Sequence, residues 1–318
     1  MPSVILSGSD DALGSRVRSR LTETGHVVID AGEGEPAADL KARVEGANTL
    51  VHLAGGLDET RVVFDAAASV GVERVVLLSS ATVYGAWPGN PVPITEDATV
   101  RPNPELDFAV RAAERERLAA EWKLDHPGTT VVVLRPAVPV ADEIQGWLAQ
   151  GLYAAATIRV DGVDDPPGQY VHLDDLASAV VLAARERLDG PYNVSPDGWI
   201  PGDQLRALAG GPRVRVPERV ARRFAWLRSR IDPKSAPPGL VPYTMHPWVI
   251  ANDRVKRAGW TASFSNEEAY VAGHRPAPWA TVSPQRRQEI ALAGLGVSIV
   301  AVIVFVVAMI RRASSRRA

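Results

Sequence analysis

Ser3-Val4-Ile5-Leu6-Ser7-Gly8-Ser9-Asp10-Asp11-Ala12-Leu13-Gly14 is the stretch on which the fold turns. Residues 4–6 are an apolar β-type run, the chain breaks at a glycine, and helical spacing follows over 13–24. A strand that enters a helix across a glycine turn opens a βαβ unit. Strand patterns at 26–30, 49–54, 75–79, 129–134 and 192–194 alternate with helical ones at 39–46, 61–70, 105–124 and 176–187. That alternation predicts an α/β fold, βαβ units around a parallel sheet. The domain is expected over 1–195. Residues 196–273, rich in Pro and Trp, are read as a smaller substrate or lid subdomain.

The chain has 318 residues and a formal charge of −2. It has no cysteine, which excludes disulfides, a thiolate nucleophile and Cys-built metal sites. Nucleic acid is not an expected partner at this charge balance. His52 and His172 lack His, Asp or Glu neighbours at ligand spacing, so structural roles and no metal are expected.

The glycine turn has chemical content. Gly8 and Gly14 permit close approach of a pyrophosphate to the backbone, with the helix N-terminus meeting its charge. Asp30 follows Gly8 by 22 residues at the end of the second strand, where a carboxylate can bind a ribose 2′-hydroxyl. No Arg or Lys follows it closely, so NAD is favoured over NADP. Asp174-Asp175 precede a helical pattern and read as an N-cap.

Several blocks then resemble the NAD-dependent epimerase/dehydratase family, extended short-chain dehydrogenases/reductases. Val51-His52-Leu53-Ala54-Gly55 is similar to the family's third-strand motif beside the cofactor, which implies cofactor contacts at Leu53, Ala54 and Gly55. Ser79-Ser80-Ala81-Thr82-Val83-Tyr84-Gly85 resembles the strand carrying the catalytic hydroxyl, placed at Ser80. Arg135-Pro136, Tyr170-Val171-His172-Leu173-Asp174-Asp175-Leu176 and Asp253–Arg257 with Ala258-Gly259-Trp260 match further blocks in order, and the resemblance implies a Rossmann-type doubly wound parallel sheet with a small C-terminal substrate subdomain.

This sequence also departs from the family pattern. Asp11 stands where the family's glycine loop has its middle glycine, and puts a carboxylate where a pyrophosphate should lie. The family's Tyr-x-x-x-Lys pair, in which lysine lowers the tyrosine pKa for proton transfer, occurs nowhere in the chain. Alignment on Glu114 puts Leu106 and Val110 in its place. The connection after His52 is also short.

Residues 290–310, IALAGLGVSIVAVIVFVVAMI, carry no charge. At about 1.5 Å per residue they span roughly the 30 Å of a bilayer core, so a transmembrane helix is expected. Residues 274–289 read as a Pro-rich linker and 311–318 as a basic tail. MPSVILSGSD is unlike a signal peptide, which points to a membrane protein with its soluble domain in the cytoplasm, although four arginines beyond the span favour the opposite orientation. Between Arg213 and Arg230 seven arginines face one glutamate, and Val220, Phe224, Leu227 and Ile231 share a helical face. Such a helix either packs on its own domain, lies on anionic lipid or binds a phosphate-bearing ligand.

Two functions compete. One is a membrane-tethered pseudoenzyme whose cleft binds or scaffolds a nucleotide-linked or lipid-linked small molecule. The other is an active NAD-dependent epimerase, dehydratase or reductase of nucleotide-linked or lipid-linked sugars, using Ser80.

Overall fold

A computed structural model describes residues 2–32, 37–141, 146–155, 158–162, 164–209, 214–231 and 237–274. The expected span at 290–310, its basic tail and the linker beyond His274 lie outside the described residues. Among the described residues, no helix is long and apolar enough to cross a membrane.

In chain order the first elements are β1 (Ser3–Ser7), α1 (Ala12–Glu23), β2 (Val27–Ala31), α2 (Ala37–Arg43), β3 (Thr49–His52), α3 (Leu57–Val70), β4 (Arg74–Leu78), α4 (Asp107–Asp125) and β5 (Thr130–Pro136). There follow β6 (Val138–Val140), α5 (Trp147–Ala155), β7 (Ile158–Val160), β8 (Tyr170–His172), α6 (Leu173–Arg185), β9 (Gly190–Val194), α7 (Gly202–Ala209), β10 (Val214–Val216), α8 (Glu218–Ile231), α9 (Asp253–Arg257) and α10 (Asn266–Gly273).

Six strands form one parallel sheet in the order β2-β1-β3-β4-β5-β9. The near-continuous apolar runs of β3, β4 and β5 suit a sheet covered on both faces. Helices α1 and α6 pack together, and α3 lies between α2 and α4. Apolar side chains from the sheet and its helices make two buried clusters, one with Val4, Leu6 and Val17, the other with Ile5, Leu50 and Phe64. The chain winds outward from β1 to β2 and then returns to β3 on the other side of β1. Strand order therefore reverses between β1 and β3, and a crevice opens at their carboxyl ends.

Helix starts depart from the sequence pattern where caps decide them. α3 begins at Leu57 behind Gly56, with Asp58 and Glu59 in its first turn favouring the positive end of the helix. α6 begins at Leu173, because the ring of His172 accepts from the Asp174 amide as N-cap. The expected Asp174 or Asp175 cap is thereby corrected. Asp174 pairs with Arg16 at 2.9 Å, and buried Asp175 accepts from the amides of Ser263 and Phe264 at 2.9 Å each, fastening the C-terminal segment to α6.

Beyond the sheet, β6 pairs with β8, β7 pairs with β10, and α10 packs on β6 and β8. Tyr243 donates to the Thr82 carbonyl at 2.8 Å, holding this part over the end of β4.

Candidate functional site

The glycine turn sits at the crevice. Gly8 has φ of +66°, and a Cβ there would lie 2.3 Å from the Ala54 carbonyl oxygen. A Cβ on Gly14 would lie 2.1 Å from the Ser9 carbonyl oxygen. Both glycines are thus required by backbone packing alone. Asp11 is the N-cap of α1: its carboxylate accepts from the Gly14 amide at 2.8 Å. A negative charge of the chain's own already occupies the helix N-terminus.

Asp30 is also engaged. Arg18 of α1 pairs with its carboxylate at 2.6 Å, Ser9 donates to it at 3.3 Å, and Arg43 donates to its carbonyl. The expectation of NAD over NADP rested on the lack of a neighbouring base, and tertiary contact supplies one. The outer recess, about 280 Å³, is lined by Gly8, Asp10, Asp11, Ala54, Gly55 and Glu59, so three carboxylates surround it. A pyrophosphate in this recess would meet the Asp11 carboxylate at its cap and two further negative charges.

The inner cleft is larger, about 780 Å³, and its walls include Asp11, Leu53, Ala54, Gly55, Ser79 and Ser80. The crevice thus brings together Gly8, Asp11, Leu53, Ala54, Gly55 and Ser80 of the sequence-expected set. Gly14 lies behind the turn, and Asp30 with its arginines at the end of β2.

The wall contributed by α4 presents different side chains from the two positions that the alignment on Glu114 singles out. Leu106 is 1% exposed within the apolar core, and neither it nor Val110 lines the cleft. Asp107, Arg111 and Arg115 do, one helical turn apart from each other. Asp107-x-x-x-Arg111 has the spacing of the sought Tyr-x-x-x-Lys pair, one residue further along, and its charges stand 3.7 Å apart. A search for Lys after Tyr could not find it; a search for any acid or base pair four apart would have.

Arg115 is the unusual group. It is 8% exposed, and its Nε and Nη1 are buried without a hydrogen-bond partner. Burial lowers its pKa, against the opposing pull of Glu116 and Glu59. Unpaired buried guanidinium N–H groups are costly, and the charge of Arg115 stands at the edge of a cleft where an anion would be attracted to it. Phe108 and Trp147, edge to face with centroids 5.0 Å apart, add an aromatic wall suited to a base or sugar ring.

Ser80 is held by Thr82. Its Oγ accepts from the Thr82 amide at 3.2 Å and from Thr82 Oγ1 at 2.9 Å, which leaves its own hydrogen for a ligand. Ser79 donates instead to Glu116 beneath the cleft. Glu116 pairs with Arg135 at 2.6 Å, Arg135 donates to the Tyr84 hydroxyl at 2.7 Å, and that hydroxyl donates to Asn193 at 2.8 Å. Burial pushes the Tyr84 pKa up to about 12 although Arg135 opposes it, so this tyrosine is held neutral. His52 is wholly buried between Ser7 Oγ at 3.1 Å and Thr60 Oγ1 at 2.9 Å. Burial, with the charge of Arg115, pushes its pKa down to about 3. Among the described residues, no group of three or more His, Asp or Glu side chains is placed to hold a metal.

An uncharacterized protein of Sinorhizobium fredii is 32% identical over 142 residues, covering 42% of this chain and 34% of its own length. The chain spans less than half the length of the curated relatives it matches. Among solved structures, MoeE5 in complex with UDP-glucuronic acid and NAD is 18% identical with a TM-score of 0.62, over 85% of this chain and 97% of its own. UDP-glucose 4-epimerase of Thermus thermophilus, in complex with NAD, is 16% identical with a TM-score of 0.62 over the same shares. At such identities these two neighbours establish the fold. The model of the NAD dependent epimerase/dehydratase family matches residues 26–195, more than half of the sequence. The chain belongs to the NAD dependent epimerase/dehydratase family.

Proposed function

We propose that this protein is a membrane-anchored family member without the family's hydride chemistry, a binding or scaffolding module whose cleft holds a phosphate-bearing, nucleotide-linked or lipid-linked small molecule. The observation that carries this reading is the arrangement of charge in the cleft. The carboxylate of Asp11 caps the helix that would otherwise receive a dinucleotide pyrophosphate, while Arg115, a cation with two unpartnered nitrogens, is among the residues that line the inner cleft. Anion binding is thereby moved from the N-terminus of α1 to the side of α4. Phe108 and Trp147 offer ring contacts beside it, and Ser80 offers one hydroxyl hydrogen. Anchoring is supported by the uncharged run at 290–310.

The test is calorimetric titration of the purified chain with NAD and, separately, with UDP-glucose and UDP-glucuronic acid, beside an absorbance and mass spectrum for co-purified dinucleotide. Weak or absent NAD binding with measurable UDP-sugar binding is expected. Stoichiometric co-purified NAD would overturn the reading.

One observation favours the second reading, an active enzyme. Asp107 and Arg111, four residues apart, line the same cleft as Ser80. A carboxylate can take a proton, whereas arginine stays charged and can only bind or orient an anion. Turnover of a nucleotide sugar with a pH profile abolished by Asp107→Asn would establish it.

A further inference from the structure

The helix α8 carries its large apolar side chains on the wrong side for a core helix. At 100° per residue, Ala221 and Ala225 fall on the face that meets the domain, beside Val160, Val241 and Met245. Val220, Phe224, Leu227 and Ile231 form a separate stripe centred about 110° away, and they are 50%, 51%, 51% and 77% exposed. Scattered exposed apolar residues need no explanation, but four on one stripe of a single helix do.

Charge borders this stripe. Arg219, Arg223 and Arg230 are exposed along one edge, with Trp226 among them, 49% exposed and covered by the Arg230 guanidinium at 4.9 Å. Arg222 points the other way and is spent on Glu218 and Glu105, fixing the helix to the domain. Small residues and one buttressing arginine thus face inward, while bulky apolar, aromatic and cationic groups face outward.

We propose that α8 is a membrane-contact helix, with Val220, Phe224, Leu227 and Ile231 entering the headgroup boundary of an anionic bilayer and Arg219, Arg223 and Arg230 meeting its phosphates. Basic residues flanking an apolar stripe with an aromatic at the border match an interfacial helix rather than a protein seam. The uncharged run at 290–310 of the same chain argues for a bilayer as the partner, a point that rests on the anchoring reading above. The stripe itself stands without it.

Residues 1–274 cluster as a unit of their own with all three apolar clusters inside it, so this fragment is the one to test free of any anchor. Co-sedimentation is measured with vesicles of phosphatidylcholine alone and with added phosphatidylserine. Binding is expected only to the anionic vesicles, falling about tenfold or more from low to high salt as screening shortens the reach of exposed charges. Arg219→Glu/Arg223→Glu/Arg230→Glu should abolish it, and so should Phe224→Ser/Leu227→Ser, with the thermal transition and circular dichroism retained in both. Because the chain has no native cysteine, Phe224→Cys and a distant exposed control, Leu124→Cys, can each carry a polarity-sensitive fluorophore. A blue shift on anionic vesicles at Phe224→Cys alone supports the proposal. No binding to anionic vesicles, or a shift that follows protein concentration without lipid, overturns it, the latter in favour of a second copy of the chain. Alkaline extraction of the full chain from membranes tests the anchor separately.

Discussion

The carboxylate of Asp11 accepts a hydrogen bond from the amide of Gly14 at 2.8 Å, three residues ahead of it. That contact makes Asp11 the N-cap of α1. Asp11→Asn retains an N-cap oxygen but removes the charge, and Asp11→Gly removes both. Each is expected to tighten NAD binding about tenfold, equivalent to about 1.4 kcal/mol. Tight calorimetric binding by the unaltered protein, with no gain in either variant, would show that the cap does not compete with pyrophosphate.

Arg115 and Glu116 adjoin in sequence and predict opposite stability changes. Arg115 is buried with unpaired N–H groups, so Arg115→Met should leave the ligand-free protein as stable or about 1 kcal/mol more stable, while weakening UDP-sugar binding. Glu116→Gln breaks a buried pair with Arg135 and should cost about 3–5 kcal/mol. Thermal or urea unfolding reads both. A destabilised Arg115→Met protein would mean that this guanidinium serves the fold.

His52 makes stability depend on pH. Its folded pKa, about 3, lies below the unfolded value near 6.5, so the unfolded chain binds more protons between them. Its contribution is complete above about pH 6.5 and declines as pH falls towards 3, by a few kcal/mol at most. In His52→Asn, the urea midpoint should vary less between about pH 4 and 6.5 than in the unaltered protein. Equal slopes would assign acid sensitivity elsewhere.

Hydride transfer should be absent. No phenol and amine stand at the required spacing, and Tyr84, the tyrosine beside the cleft floor, is held protonated up to about pH 12. General acid–base catalysis contributes about 10²–10⁴-fold, so loss of the pair should reduce turnover by at least that factor. Assays for NADH formation and for 4-epimers of UDP-glucose decide the point. Robust turnover lost in Ser80→Ala would restore the active-enzyme reading.

Alternating periodicity from Val4 to Val194 was enough to specify the parallel sheet, because buried strands and amphipathic helices are local patterns. The family blocks also identified which turns meet at the crevice. Asp11 could be seen as an intruding carboxylate, but its inward turn onto Gly14 depends on the start of α1. Helix phase decided the rest. It buried Leu106 and turned Asp107, Arg111 and Arg115 into the cleft. Arg18 and Asp30 lie 12 residues apart, and only the packing of α1 against β2 makes them a pair. The sequence by itself determined that residues 218–231 form an amphipathic basic helix. Only tertiary structure decided that Ala221 and Ala225 face the domain and Phe224 faces away, since periodicity defines a stripe without saying which stripe meets the rest of the molecule.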